Sequence, residues 1–252
     1  MKMKKATLIL FSAILAFSVS AQNKMTEANT LYLAEKYEEA AAAYTEILQS
    51  GKESATLYYN LGNACYKQNK IAPAILNYER ALRLKPNDEN TRRNLELARA
   101  RTVDNIETLN PFFLKIWITN VSNLLSSNAW AVMSIIAFIL FITAAFFYFF
   151  GRYRLVRKIA FGKACILLLL SISSFCFAKM QKDNIERRDY AIVFSENVTA
   201  KGSPDESGTN LFVLHAGTKL RIKSAFGNGL WYEIQLEDGN TGWVKATTVE
   251  II

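Results

Sequence analysis

The 252-residue chain reads as a multidomain membrane protein: an all-α helical solenoid, then a two-helix transmembrane hairpin, then a small all-β barrel. Three observations predict this. Residues 22–107 repeat with a period of 34, residues 129–150 and 159–178 form two long apolar runs, and apolar and polar residues alternate from Tyr190 onward. A helix rises about 1.5 Å per residue, so a run of this length covers roughly 33 Å, the hydrocarbon thickness of a bilayer.

Between the two runs, residues 151–158 form a loop too short to be a domain, and it carries Arg152, Arg154, Arg157 and Lys158. Short Lys/Arg-rich loops stay cytoplasmic, so the segments flanking the hairpin are expected on the opposite face. The start of the chain agrees. Lys2, Lys4 and Lys5 precede the apolar run Ala6–Phe17, and Val19-Ser20-Ala21 offers small residues for cleavage. Residues 1–21 therefore read as an export signal or, if uncleaved, as a signal anchor; either one translocates the segment C-terminal to it. Lys163 lies within about a turn of the start of the second run and can extend its ammonium back to the headgroups. Neither run holds an ionisable group deeper, which argues against transport by this chain alone.

The formal charge of +8 is a membrane-flank feature rather than a nucleic-acid footprint. Residues 151–188 hold nine basic side chains against only Asp183 and Glu186, as polybasic juxtamembrane segments do. Cys65, Cys165 and Cys176 have no metal-ligand or disulfide spacing and are expected to pack as small hydrophobes.

In residues 22–107 the period aligns Asn29 with Asn63, Ala40 with Ala74, Tyr44 with Tyr78 and Leu48 with Leu82. Gly62 and Ala74 are small where paired helices must cross closely. Leu61, Ile75, Tyr78 and Leu82 supply the apolar stripe between them. Pro73 sits near a helix start and Pro86 ends the unit. The second copy is complete: Tyr58, Leu61-Gly62, Tyr66, Ala74, Tyr78, Ala81 and Pro86. The first has Ala28 in place of the glycine and Lys52-Glu53-Ser54 in place of the proline turn. These positions resemble the tetratricopeptide repeat. A helix over about 88–103, rich in Arg92, Arg93, Arg99 and Arg101, suits a polar cap. Two repeats and a cap fall short of the three units such arrays usually need, so support from the membrane-proximal segment or from a partner is expected.

Residues 108–128 place Phe113, Ile116, Trp117, Val121, Leu124 and Leu125 at helical spacing. They read as an amphipathic helix in the outer headgroup region or as an extension of the repeat core. Residues 179–252 comprise a linker and a barrel, 190–252. Its short strand-like runs are separated by Gly, Asn, Asp and Pro. Gly217-Thr218, Trp231-Tyr232 and Asp238-Gly239-Asn240-Thr241-Gly242-Trp243-Val244 resemble the bacterial SH3-like barrel. Asn197-Val198-Thr199 stands where that family often has Asn-Val-Arg, so the resemblance carries the fold more than the family's groove.

The inventory of chemistry-bearing residues points to recognition. His215 is the single imidazole, beside Ala216-Gly217, and is expected to be structural or solvent-facing; the carboxylates are scattered, and no phosphate loop or metal cluster is present in the sequence. No catalytic residue, metal or cofactor is expected, and no nucleic-acid partner. Candidate partner-binding residues are Asn29, Asn60, Asn63 and Lys67 on the first helices of each pair, which offer amide and ammonium hydrogen bonds. In the barrel, Tyr190 and Tyr232 are candidates for an aromatic ligand surface, while Trp231 and Trp243 are expected mainly to pack.

The order of export signal, short repeat array, membrane hairpin and SH3-like barrel resembles, over essentially the whole chain, the E-type Bat proteins, a family named for aerotolerance in Bacteroides. The resemblance implies a bacterial inner-membrane assembly whose other members carry von Willebrand A-type domains, and a part in oxidative-stress tolerance. On this reading the chain is a scaffold that holds periplasmic or membrane proteins. A cell-wall sensor or anchor binding peptidoglycan peptides is the alternative.

Overall fold

The computed structural model describes residues 24–104, 106 and 112–252; the expected export signal, 1–21, lies outside them. The chain divides into two compact units. One joins the N-terminal helices to Arg188–Ile252, and the other comprises the central helices.

In the first unit, helical residues 24–33 (α1) are followed by α2 (Tyr37–Gln49), α3 (Ala55–Lys67), α4 (Ile71–Leu84) and α5 (Glu89–Arg99). Ser54 starts α3 by accepting the Leu57 N–H at 3.1 Å, an N-cap that satisfies one orphan donor. Ala40 and Ala74 are completely buried where the helices cross. A Cβ on Gly62 would meet the ring of buried Tyr78 at 2.7 Å, so no larger residue fits without moving the helices apart.

The same unit carries β1 (Tyr190–Val193), β2 (Asn197–Lys201), β3 (Asn210–His215), β4 (Lys219–Phe226), β5 (Trp231–Gln235), β6 (Thr241–Lys245) and β7 (Val249–Ile251). They form one antiparallel sheet in the order β3-β2-β6-β5-β4-β1-β7. Inward residues from every strand, among them Val193, Val198, Leu214, Leu220, Ile234, Val244 and Val249, meet in one core, so the sheet curls around it. Irregularities at Ala200/Lys201 and Ile222/Ser224 help it bend.

The array and the sheet share a second core. Ile192 and Ile252 sit among Ala72, Ile75 and Leu76 of α4, and Ile192 is fully buried. β1 is thus covered on both faces: Ala191 and Val193 point into the sheet's core and Ile192 into the array's. The support that two repeats and a cap require comes from the β domain of the same chain.

The second unit contains α6 (Phe113–Ser122), α7 (Ser127–Phe150) and α8 (Arg154–Glu186). α7 and α8 are long and apolar enough to cross a membrane. They pack antiparallel through small residues. Ser134 and Ser171 each donate a hydroxyl to the other's carbonyl, at 2.9 and 3.0 Å, and Ser127 Oγ donates to the Ala178 carbonyl at 2.9 Å. The buried Ala137, Ala164 and Ser174 let the helices approach closely, while Ile135, Ile139, Phe146, Leu169 and Phe175 face outward. α6 joins this unit where Trp130 Nε1 and Gln181 Nε2 both donate to the Ser122 carbonyl. Of the three cysteines expected to pack, only Cys65 is buried. Cys165 and Cys176 lie on the outer face of α8, because the interhelical seam is filled by Ala and Ser instead.

Candidate binding grooves

Two hydrogen-bonded triplets repeat along one face of the array. Asn29 Oδ1 accepts from Tyr44 Oη at 2.7 Å and from Asn60 Nδ2 at 3.1 Å. One repeat later, Asn63 Oδ1 accepts from Tyr78 Oη at 2.8 Å and from Asn94 Nδ2 at 2.8 Å. Each member of the second triplet stands 34 residues after its counterpart in the first. Burial holds the Tyr44 and Tyr78 phenols above their ordinary range, so both remain neutral donors.

These triplets form the floor of two adjoining depressions. One, about 280 Å³, is lined by Asn29, Tyr32, Leu33, Tyr44, Asn60 and Asn63. The other, about 250 Å³, is lined by Tyr32, Tyr59, Asn63, Tyr66, Lys67, Tyr78, Asn94 and Leu97. Tyr32 and Asn63 belong to both, which makes them one groove across α1, α3 and α5. The asparagine carbonyls are spent on internal bonds. Among the described residues the Nδ2 groups of Asn29 and Asn63 donate to nothing, and Lys67 is exposed with its ammonium 5.9 Å from the Tyr37 ring. The groove therefore presents N–H donors between tyrosine rings, a surface suited to carbonyls or carboxylates on an extended chain.

The structure brings Asn29, Asn60, Asn63 and Lys67 together in this groove and separates the two barrel candidates. Tyr190 lines a cleft of about 300 Å³ with Lys219, Arg221, Gln235 and Glu237, its ring 4.9 Å from Lys219 Nζ and 5.8 Å from the Arg221 guanidinium. Tyr232 instead packs against the core of the sheet, on the side of fully buried Ile234. Period-two alternation then sends Trp231 and Trp243 outward, since Ile234 and Val244 point in. Both tryptophans are part-exposed rather than core residues. Trp231 lies under Lys245 Nζ at 5.9 Å, and Trp243 meets Phe226 edge-on.

The joint between array and β domain is polar at its edges. Buried Glu79 accepts from Arg99 at 2.5 Å and from Lys219 at 2.8 Å. Burial alone pushes its carboxyl up, but the two cations outweigh that and hold it below the usual carboxylate range. Asp104 accepts from the His215 N–H at 2.7 Å and from Thr218 Oγ1 at 2.5 Å, with His215 Nδ1 at 2.6 Å from its other oxygen. These bonds offset its burial and lower it as well. His215 is thus a structural residue. Arg80 and Arg83 donate to the carbonyls of Ile251 and Ile252, each at 2.6 Å. Burial pushes the Cys65 thiol up to about 11, which keeps it protonated and unreactive at neutral pH.

Sequence reasoning missed Asn94, Glu79 and Asp104. Asn94 carried a readable signal, since it stands one period after Asn60. Glu79 and Asp104 carried none, because Lys219, His215 and Thr218, which bind them, lie more than a hundred residues away in sequence. Among the described residues no cluster of metal-ligating side chains occurs.

A tetratricopeptide-repeat model matches residues 55–88, which span α3, the α3–α4 turn and α4 with its closing Pro86. A bacterial SH3 domain model matches residues 199–250, most of the β domain. No curated protein is similar enough to the chain to stand as a relative. Both matched modules are of kinds that bind other molecules rather than catalyse reactions.

Proposed function

We propose that the chain is a non-enzymatic, two-pass inner-membrane scaffold whose repeat groove holds an extended segment of a partner protein. In this reading residues 1–21 export the chain, α7 and α8 span the bilayer with residues 151–158, the turn and the first five residues of α8, in the cytoplasm, and α6 lies in the outer headgroup layer with Trp117 exposed. The array and β domain then work in the periplasm. The partners are other membrane or periplasmic proteins, with the von Willebrand A-type proteins of a Bat-type aerotolerance complex as the specific candidates. The observation that carries the reading is the groove itself: free amide donors on Asn29 and Asn63, exposed Lys67 and a wall of tyrosines, repeated at the array's own period.

The test is a photo-crosslinking residue in place of Leu97, which lines the groove and is 54% exposed, used in intact membranes. A discrete protein adduct from position 97, absent from exposed Thr45 on α2, is expected. No adduct, or equal adducts from both positions, rejects the reading.

The alternative, a cell-wall sensor or anchor, draws on the Tyr190 cleft, where Lys219, Arg221 and Glu237 offer both charge signs to a zwitterionic peptide. Co-sedimentation of the solubilised full chain with purified peptidoglycan sacculi, abolished by Tyr190→Ala, would favour it. Because Ile192 and Ile252 are buried in the array, the β domain is best tested within the whole chain.

A further inference from the structure

We propose that the repeat groove takes a proline-rich segment in the polyproline II conformation, neutral or acidic in charge, rather than a strand or a helix. This rests on the groove reading above and specifies what the groove holds. Its walls are aromatic more than aliphatic. The Tyr32 and Tyr37 rings meet edge-on at 5.3 Å, the Tyr59 and Tyr78 rings lie 6.2 Å apart, and Tyr66 lines the same depression as Tyr59. Such rings pack well against pyrrolidine rings, and proline brings no N–H that an aromatic wall would leave unpaired. The free amide groups of Asn29 and Asn63 call for carbonyl oxygens. A helix spends its carbonyls on its own N–H groups, whereas polyproline II has no internal hydrogen bonds and leaves every carbonyl free.

Repeat spacing separates polyproline II from a strand. Asn60 on α3 bonds Asn29 on α1, and Asn94 on α5 bonds Asn63 on α3, so the helices carrying successive donors are direct neighbours. Neighbouring helix axes lie roughly 8–10 Å apart. Polyproline II returns the same face after three residues, about 9.3 Å, so carbonyls three residues apart meet Asn29 and Asn63 in turn. A strand returns the same face after two residues, about 6.8 Å, and is out of step by the second donor. Charge narrows the occupant further. Among the described residues no carboxylate lines either depression, Lys67 is exposed within one of them, and the Arg101 guanidinium lies 4.5 Å from the Tyr66 ring. The groove therefore accepts neutral or acidic side chains between the prolines and disfavours basic ones.

The test measures fluorescence polarisation of labelled peptides of about twelve residues, roughly 37 Å as polyproline II, on the detergent-solubilised full chain. Repeats of Pro-Pro-Glu should bind at least about tenfold more tightly than Gly-Ser-Glu or Thr-Val-Glu repeats of the same length and charge, and than Pro-Pro-Lys repeats. Asn63→Asp keeps the oxygen that accepts from Tyr78 and Asn94 but removes the free donor, and Lys67→Glu reverses an exposed charge. Each should weaken Pro-Pro-Glu binding about tenfold in a chain that still melts cooperatively, while Thr45→Glu on α2 should leave it unchanged. Equal binding of the three acidic repeats, no binding of Pro-Pro-Glu, or binding untouched by both groove variants overturns the proposal. The photo-crosslink from position 97 separates the two claims. If it gives its discrete adduct while Pro-Pro-Glu binds no better than its controls, this inference alone fails; if it gives none, the groove reading fails and takes this one with it.

Discussion

Lys219 Nζ stands 2.8 Å from Glu79 Oε2, joining β4 to α4 across 140 positions of sequence. Arg99 closes on the other oxygen from α5, so one carboxylate ties the last two helices of the array to the sheet. Glu79→Gln removes the charge that both cations were placed to meet, and the loss of one member of a buried pair costs about 3 kcal/mol. The variant should melt earlier in detergent, with array and β domain unfolding together.

Acid should act through the same joint. The folded pKa values of Glu79 and Asp104 are both depressed, so their contribution is fully present above the ordinary carboxylate values of 4.5 and 3.8 and is lost as pH falls below them. Thermal stability measured downward from pH 6 should fall steeply below about pH 4.5 in the parent and less steeply in Glu79→Gln. Parallel profiles would show that Glu79 contributes nothing to acid sensitivity.

Gly62→Ala tests the close helix crossing. The new Cβ would lie 2.7 Å from the Tyr78 ring, which is buried and has no room to retreat. Overpacking of this kind costs about 1–3 kcal/mol. Denaturant titration should show that loss, whereas Gly51→Ala, with open space around the added methyl but a φ of +82°, should cost less than Gly62→Ala.

Tyr78→Phe removes one of the two donors to Asn63 Oδ1 and leaves the one from Asn94. The cost should be about 1 kcal/mol, the net value of a single hydrogen bond. Asn94→Ala in turn leaves Asn63 Oδ1 held by Tyr78 alone and should lower photo-crosslink yield from position 97 more than it lowers stability.

In the hairpin, Ser134→Ala and Ser171→Ala each remove one hydroxyl of a reciprocal pair. Each should weaken helix association by less than about 1 kcal/mol. Their double variant should lose less than the sum, because the pair is shared.

Much of the fold was legible because it is local. The 34-residue period marked Gly62 and Ala74 as the small residues of a close helix crossing, and the alternation after Tyr190 marked β1, β3, β4, β5 and β6 but not β2 or β7. What escaped notice was the joint. The run Ala191-Ile192-Val193-Phe194 is continuously apolar, a pattern that fits a strand covered on both faces; only the covering helix, α4, was out of reach. The groove asparagines were readable as polar residues on a helix face. That their carbonyls are spent internally, leaving the amide donors, depends on Tyr44 and Tyr78 reaching across from neighbouring helices. Within the sheet, the parity of Tyr232 against Trp231 hung on Ile234 and Val244 being inward, which strand pattern alone left open.

Because Ile192 and Ile252 lie in the array's own core, array and β domain stay together, and on the proposed membrane reading the hairpin between them returns the chain to the side it left. Labelling of intact cells with a membrane-impermeant maleimide tests this directly, using single cysteines at Thr45 on the array, Asn240 on the β domain and Arg154 at the basic start of α8. Labelling at 45 and 240, with 154 reacting only after permeabilisation, is the predicted result. Labelling at one of 45 and 240 without the other, or at 154 alone, would contradict the account.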